Sequence, residues 1–155
     1  MRLKKFFKGV VICLLVLCVA GCGNAKSITA DDFKEKMEDK KYSVTDATYQ
    51  FAGADYIEKV YIALKSDSSY QIEFYQISNE EYAVSFYNNN KSIFENSKSS
   101  TSTYTETNLG NHAKYTLESD GKYKVVSKID NTVIYLNVDS KYKDEVKDIL
   151  KKLGY

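Results

Sequence analysis

Apolar and polar positions alternate along this chain, and the period of the alternation changes several times. Over 56–65, Val60, Ile62 and Leu64 fall on one side of an extended backbone, with Lys59, Tyr61 and Lys65 on the other. Over 69–77, Ile72 and Phe74 oppose Gln71, Glu73 and Tyr75. A period of two with one polar side predicts antiparallel strands that face a core on one side and water on the other. "KSDSSY" between the two runs has the composition of a hairpin connection. A third extended run covers 43–51. Four more follow near 103–108, 112–118, 122–129 and 132–138, separated by the turn sequences "LGN", "SDG" and "DN".

The period lengthens to that of a helix in three places. Thr29–Lys40 opens on a residue that can cap, places Asp31 and Asp32 at the positive end of the helix dipole, and puts Phe33 and Met37 on one face. Ser78 with Glu81 has capping-box spacing ahead of Ala83, Phe86, Tyr87, Ile93 and Phe94. Asparagine is a poor helix former, so the run Asn88–Asn90 predicts a kink or an end there. The polar stretch 95–103 reads as a loop. In 139–155, Tyr142, Val146, Ile149, Leu150 and Leu153 form an apolar stripe, and Gly154 stands where a C-cap glycine belongs. The order α-βββ-α-ββββ-α predicts an α+β fold, antiparallel sheet packed by three helices. An offset of 53 residues aligns Ala30 and Phe33 with Ala83 and Phe86, and "LKSDSSY" with "LESDGKY". Two helix-plus-meander repeats are one reading of that match; recurring turn chemistry is the other.

The first 22 residues follow neither pattern. Arg2, Lys4, Lys5 and Lys8 precede an uninterrupted apolar or small stretch, Gly9–Cys22. A basic flank, a short apolar core and small residues before a break are the parts of a secretory signal. The core falls short of the about 20 residues a spanning helix needs. Its end, "VAGC", resembles the lipobox of bacterial lipoproteins. The resemblance implies a diacylglycerol on the Cys22 thiol and cleavage before Cys22, so that residues 1–21 are a signal peptide. Residues 22–27 would then be the lipidated cysteine and a short tether, with 28–155 a single domain. Two acyl chains hold stably where one does so only marginally. The expected location is the outer, extracytoplasmic face of the cell membrane. Gly23–Ser27 reach at most about 18 Å when extended, which keeps the domain near the bilayer.

Trimming changes the charge. The chain has 22 basic and 21 acidic residues; four basic and no acidic ones leave with 1–21, so 18 stand against 21, a net charge of −3. Arg2 is the only arginine, which argues against nucleic acid as a partner. Cys13 and Cys18 leave with the signal and Cys22 takes the lipid, so no thiol remains for a disulfide. A domain of some 134 residues without staples rests on its hydrophobic core, to which the chain's 14 tyrosines and seven phenylalanines contribute.

Little else points to chemistry. His112 is the only histidine, too few nitrogen and sulfur ligands for a zinc or copper site, and it reads as an exposed residue at a strand start. "ESDGK" and "KIDNT" lack the spacing of a calcium loop. There is no nucleophile elbow and no phosphate-cradling glycine loop, so no metal, cofactor or catalytic residue is expected. A hydrolase built on a carboxylate pair is the minor alternative. The polar strand positions Lys59, Tyr61, Tyr75, Lys122, Lys124 and Lys128 form the candidate ligand face, where tyrosine rings and ammonium groups could meet sugars or an anionic wall polymer. The expected function is a non-catalytic binding module acting on a membrane protein or envelope component. The alternative is a single-lobe binding domain for an envelope saccharide or small solute.

Overall fold

A computed structural model describes residues 24–155. The signal-peptide reading and the lipidation of Cys22 lie outside these residues. Three helices, α1 (Ala30–Asp39), α2 (Glu80–Glu95) and α3 (Lys143–Leu153), accompany seven strands: β1 (Ser43–Asp46), β2 (Ile57–Leu64), β3 (Gln71–Ile77), β4 (Thr103–Leu109), β5 (His112–Ser119), β6 (Lys122–Ile129) and β7 (Thr132–Asp139). The class and the order α-βββ-α-ββββ-α are those the periodicity predicts. The first extended run is shorter than expected, because Thr48–Phe51 turn into a 3-10 helix after β1.

Local chemistry sets the helix ends. The Thr29 hydroxyl accepts from the Asp32 amide at 3.1 Å, and the Asp32 carboxylate accepts from the Thr29 amide at 3.2 Å, a reciprocal capping box. The second helix is capped by Asn79, which accepts from the Tyr82 amide at 2.9 Å, one residue beyond the Ser78 expected. The Ser78 amide is committed instead to the Tyr56 carbonyl, which holds Ser78 at the extended end of β3. No break occurs at Asn88–Asn90. Asn90 Nδ2 donates to the Phe86 carbonyl at 2.9 Å, while Tyr87 and Phe94 on either side are buried against the sheet. Gly154 ends α3 in the left-handed region at φ 91°, as a C-cap glycine should.

All seven strands pair antiparallel in one sheet, in the order β1-β2-β3-β7-β6-β5-β4. The last strand is thus inserted at the centre, between two meanders. Helices α1 and α3 cover one face, with Phe33, Met37, Val146, Leu150 and Leu153 packed on Ile72, Phe74, Ile134 and Leu136. Helix α2 covers the other, with Ala83, Tyr87 and Phe94 on Val60, Tyr75, Val126 and Val133. The central strands are therefore buried on both sides, and the water-facing side expected of β2 and β3 is a second core. Tyrosine allows this: its ring packs as a large apolar body while its hydroxyl finds a partner, as Tyr75 does in donating to Glu73.

The 53-residue offset maps onto strand pairing. Leu64 faces Gln71 across β2–β3, and Leu117 faces Lys124 across β5–β6. The packing does not follow, because Phe33 and Phe86, which the offset equates, sit on opposite faces of the sheet. The match is one of hairpins rather than of complete helix-plus-meander units.

The buried tyrosines make the fold sensitive to alkali. Burial pushes the phenols of Tyr70, Tyr75 and Tyr155 far up, and that of Tyr87 up to about 12. The unfolded chain ionises first, near the ordinary value of about 10, so these groups contribute full stability below that pH and lose it above. The urea midpoint should therefore hold through neutral pH and fall steeply above about pH 10, in step with the rise in tyrosinate absorbance. A midpoint unchanged into strong alkali would contradict this burial.

Candidate functional site: a basic, threonine-lined groove

Six strand spacings of about 4.8 Å make the sheet roughly 29 Å across, whereas two helices each about 10 Å wide cover some 20 Å of it. The uncovered part of the α1/α3 face is the β5–β4 edge. Along β5 burial alternates strictly: Ala113, Tyr115, Leu117 and Ser119 are buried toward α2, and His112, Lys114, Thr116 and Glu118 between them are part-exposed. Cross-strand partners share a face, and here they are Thr107 with Lys114, Thr105 with Thr116, and Thr103 with Glu118. Lys143 and Lys147, one turn apart on α3, stand opposite this row, and buried Tyr123 contributes to the floor. Together they enclose a groove of about 340 Å³.

Its charges are unequally satisfied. Lys143 Nζ donates to Glu118 Oε2, and that bond holds the Glu118 carboxyl below its usual range. Lys114 and Lys147 make no ion pair among the described residues. Burial pushes the Lys114 ammonium down, and the like charge of Lys147 adds to the effect. The Thr105 and Thr116 hydroxyls lie 2.7 Å apart. The groove thus offers cations and hydroxyls with one carboxylate already engaged, a set suited to holding a ligand.

The six residues of the candidate ligand face are not brought together. Tyr61 is buried in the α1/α3 core, with Lys59 Nζ 5.7 Å from its ring centre, and Lys59 is paired with Asp46 at 3.0 Å. Tyr75 is buried in the opposite core, between Phe51 and Phe86. Lys122 is paired with Asp139 at 2.6 Å. Lys124 Nζ donates to Ser97 Oγ at 2.6 Å. Lys128, only 4 % exposed, donates to Glu80 and to the carbonyls of Asn111 and Asp130. His112 is half-buried rather than exposed, bonded to Ser127 Oγ at 3.1 Å, and burial lowers its pKa, with Lys114 and Lys128 adding to the shift.

No family model, curated protein or solved structure matches this chain. Its chemistry is therefore read from the groove and from the segment that leads into the domain. Among the described residues no cluster of His, Cys, Asp or Glu is arranged to hold a metal ion, and no helix is long and apolar enough to cross a membrane. Sequence reasoning missed Lys114, Lys143 and Lys147. The signal was there in "TYTET", where threonine recurs with period two, and in two lysines four apart beside the apolar stripe of α3.

Of the residues expected to form the short tether, Asn24, Ala25 and Ser27 are docked on the domain. The Ala25 amide donates to Asn111 Oδ1 at 3.0 Å, and Asn111 Nδ2 returns a bond to the Ala25 carbonyl at 2.7 Å. Ser27 Oγ donates to Asp130 Oδ2 at 3.0 Å. Asn24 lies against the backbone of Gly110, where an added Cβ would meet its Oδ1 at 3.2 Å. The entering chain is thereby fixed to the β4–β5 and β6–β7 turns, at one end of the sheet.

Proposed function

We propose that this chain is an exported lipoprotein, anchored through Cys22 to the outer face of the cell membrane, where it acts as a non-catalytic binding module for a membrane protein or envelope component. The lipobox resemblance motivates the anchor, and the docking of Ala25 and Ser27 on Asn111 and Asp130 is the observation that carries the reading. A chain held to the domain from Asn24 onward leaves almost no free length after Cys22. The sheet end that bears these turns would then lie against the headgroups. Leu109, 70 % exposed beside them, adds apolar surface there. A second reading, a single-lobe domain for an envelope saccharide or small solute, is favoured by the groove between β4–β5 and α3.

Cys22→Ala tests the anchor. The variant should leave the membrane fraction or accumulate as unprocessed precursor, while the wild type stays membrane-bound and enters the detergent phase. A variant that is processed and still membrane-bound after alkaline carbonate washing would sink the lipid-anchor reading.

A further inference from the structure

We propose that the groove between the β4–β5 edge and α3 binds a ligand in which an anionic group adjoins hydroxyls, the chemistry shared by acidic saccharides and polyol phosphates. Lys114 and Lys147 meet the anion, and the threonine row meets the hydroxyls. The inference rests on the groove being the binding surface and not on the lipid anchor.

Two cations that converge without an ion pair of their own are unfavourable in the empty protein, the more so when one is partly desolvated. Glu118 feels the charge of Lys147 but is bonded to Lys143. The unfavourable arrangement is confined to one end of the groove, because Lys143 at the other end is neutralised by Glu118. The positive focus is also local: the chain from residue 22 onward is net negative, so nothing in its overall charge would draw an anion to this position. From Lys114 to Glu118 the row runs four residues along β5, about 14 Å, which accommodates an extended ligand rather than a lone ion. Thr105, Thr107 and Thr116 lie along this row, and each hydroxyl both donates and accepts. That matches a polyol or sugar better than a second charge.

The test uses the full-length protein in phosphatidylcholine nanodiscs, titrated with glycerol 3-phosphate and separately with glucuronate. Glucose and sodium chloride at matched ionic strength serve as controls. Saturable amide shifts at Lys114, Thr116 and Lys147 are expected with at least one of the two anions and with neither control. The anion that binds tighter tells phosphate from carboxylate. Lys114→Met should weaken binding about tenfold or more while raising the melting temperature of the unliganded protein, since it removes a desolvated charge beside Lys147. Lys147→Ala, at an exposed position, should weaken binding too, and covers the case in which Lys114→Met does not fold. Lys34→Ala, on the outer surface of α1, should bind like the wild type. Equal shifts with chloride, no shifts with either anion, or wild-type affinity in both groove variants would overturn the proposal. Membrane fractionation of the same protein reports on Cys22 separately, so failure of the anchor and failure of the groove are told apart.

Discussion

Replacing Phe74 with alanine is expected to cost about 3–5 kcal/mol, the usual range for deleting a fully buried phenylalanine. Phe74 sits at the centre of β3 with no exposed surface. Its ring stacks on Phe33 of α1, with centroids 4.9 Å apart and planes 19° from parallel. Across the sheet its partners are Tyr61 on β2 and Ile134 on β7, both in the same core. The truncation therefore opens a cavity where one helix and three strands meet, and β3 and β7 cannot close on it without breaking register. Domains of this size are stable by about 5–15 kcal/mol, and residues 24–155 contain no cysteine to staple them. A large fraction of the folded population should be lost at physiological temperature. Urea unfolding followed by circular dichroism would show a lowered midpoint at an unchanged slope. A loss below about 1 kcal/mol would mean that α1 can settle into the space and that the core is less tightly packed than the stacking implies.

Lys128→Met should be the next most damaging of the changes considered, at about 1–3 kcal/mol, chiefly through the buried donor it takes from the Asp130 carbonyl. The Asn111 carbonyl, which also loses Lys128, keeps the Asp130 amide at 3.2 Å. Lys128 Nζ lies 2.9 Å from Glu80 Oε1, 3.3 Å from the Asn111 carbonyl and 3.2 Å from the Asp130 carbonyl. It thus ties the first turn of α2 to both turns on which the entering chain docks. The Glu80 side chain is 59 % exposed, so the ion pair itself contributes little; the bonds to the carbonyls, that to Asp130 above all, account for most of the effect. Methionine keeps the apolar stem and removes only the donors. Glu80→Gln should accordingly cost less than half as much. Hydrogen exchange at Ala25 should quicken in Lys128→Met, because Asn111 and Asp130, though still bonded to each other, lose their tie through Lys128 to α2. Equal costs for the two substitutions would move the weight back onto the ion pair.

The hairpins, most helix ends and the strand lengths other than that of β1 are legible in the sequence because each depends on neighbours in the chain. Thr29 and Asp32 are three apart and cap each other; Gly154 follows the last apolar residue of α3; "SDG" closes the β5–β6 hairpin. Even the one-residue error at Ser78 is local, arising from competition between two polar residues for the same cap. The identity of the ligand face is different in kind. Tyr61 and Tyr75 both read as polar-side residues, yet they end in opposite cores. A tyrosine or a lysine carries an apolar body and a polar tip, so its type does not say whether water or a helix lies above it. Lys128 shows the same ambiguity, reading as a surface charge and serving as a buried clamp.

The sequence by itself determined the α+β class, the order of elements, the paucity of nitrogen and sulfur ligands, and the lipobox resemblance at Cys22. These follow from composition and from contacts a few residues apart. Only the tertiary structure decided that β7 inserts at the centre of the sheet, that α1 and α3 share one face while α2 takes the other, and that Lys114, Lys143 and Lys147 converge. Each of these depends on which helix covers which strand, a long-range choice made by the fit of whole apolar faces. The groove exists because two helices are too narrow for one face of a seven-stranded sheet.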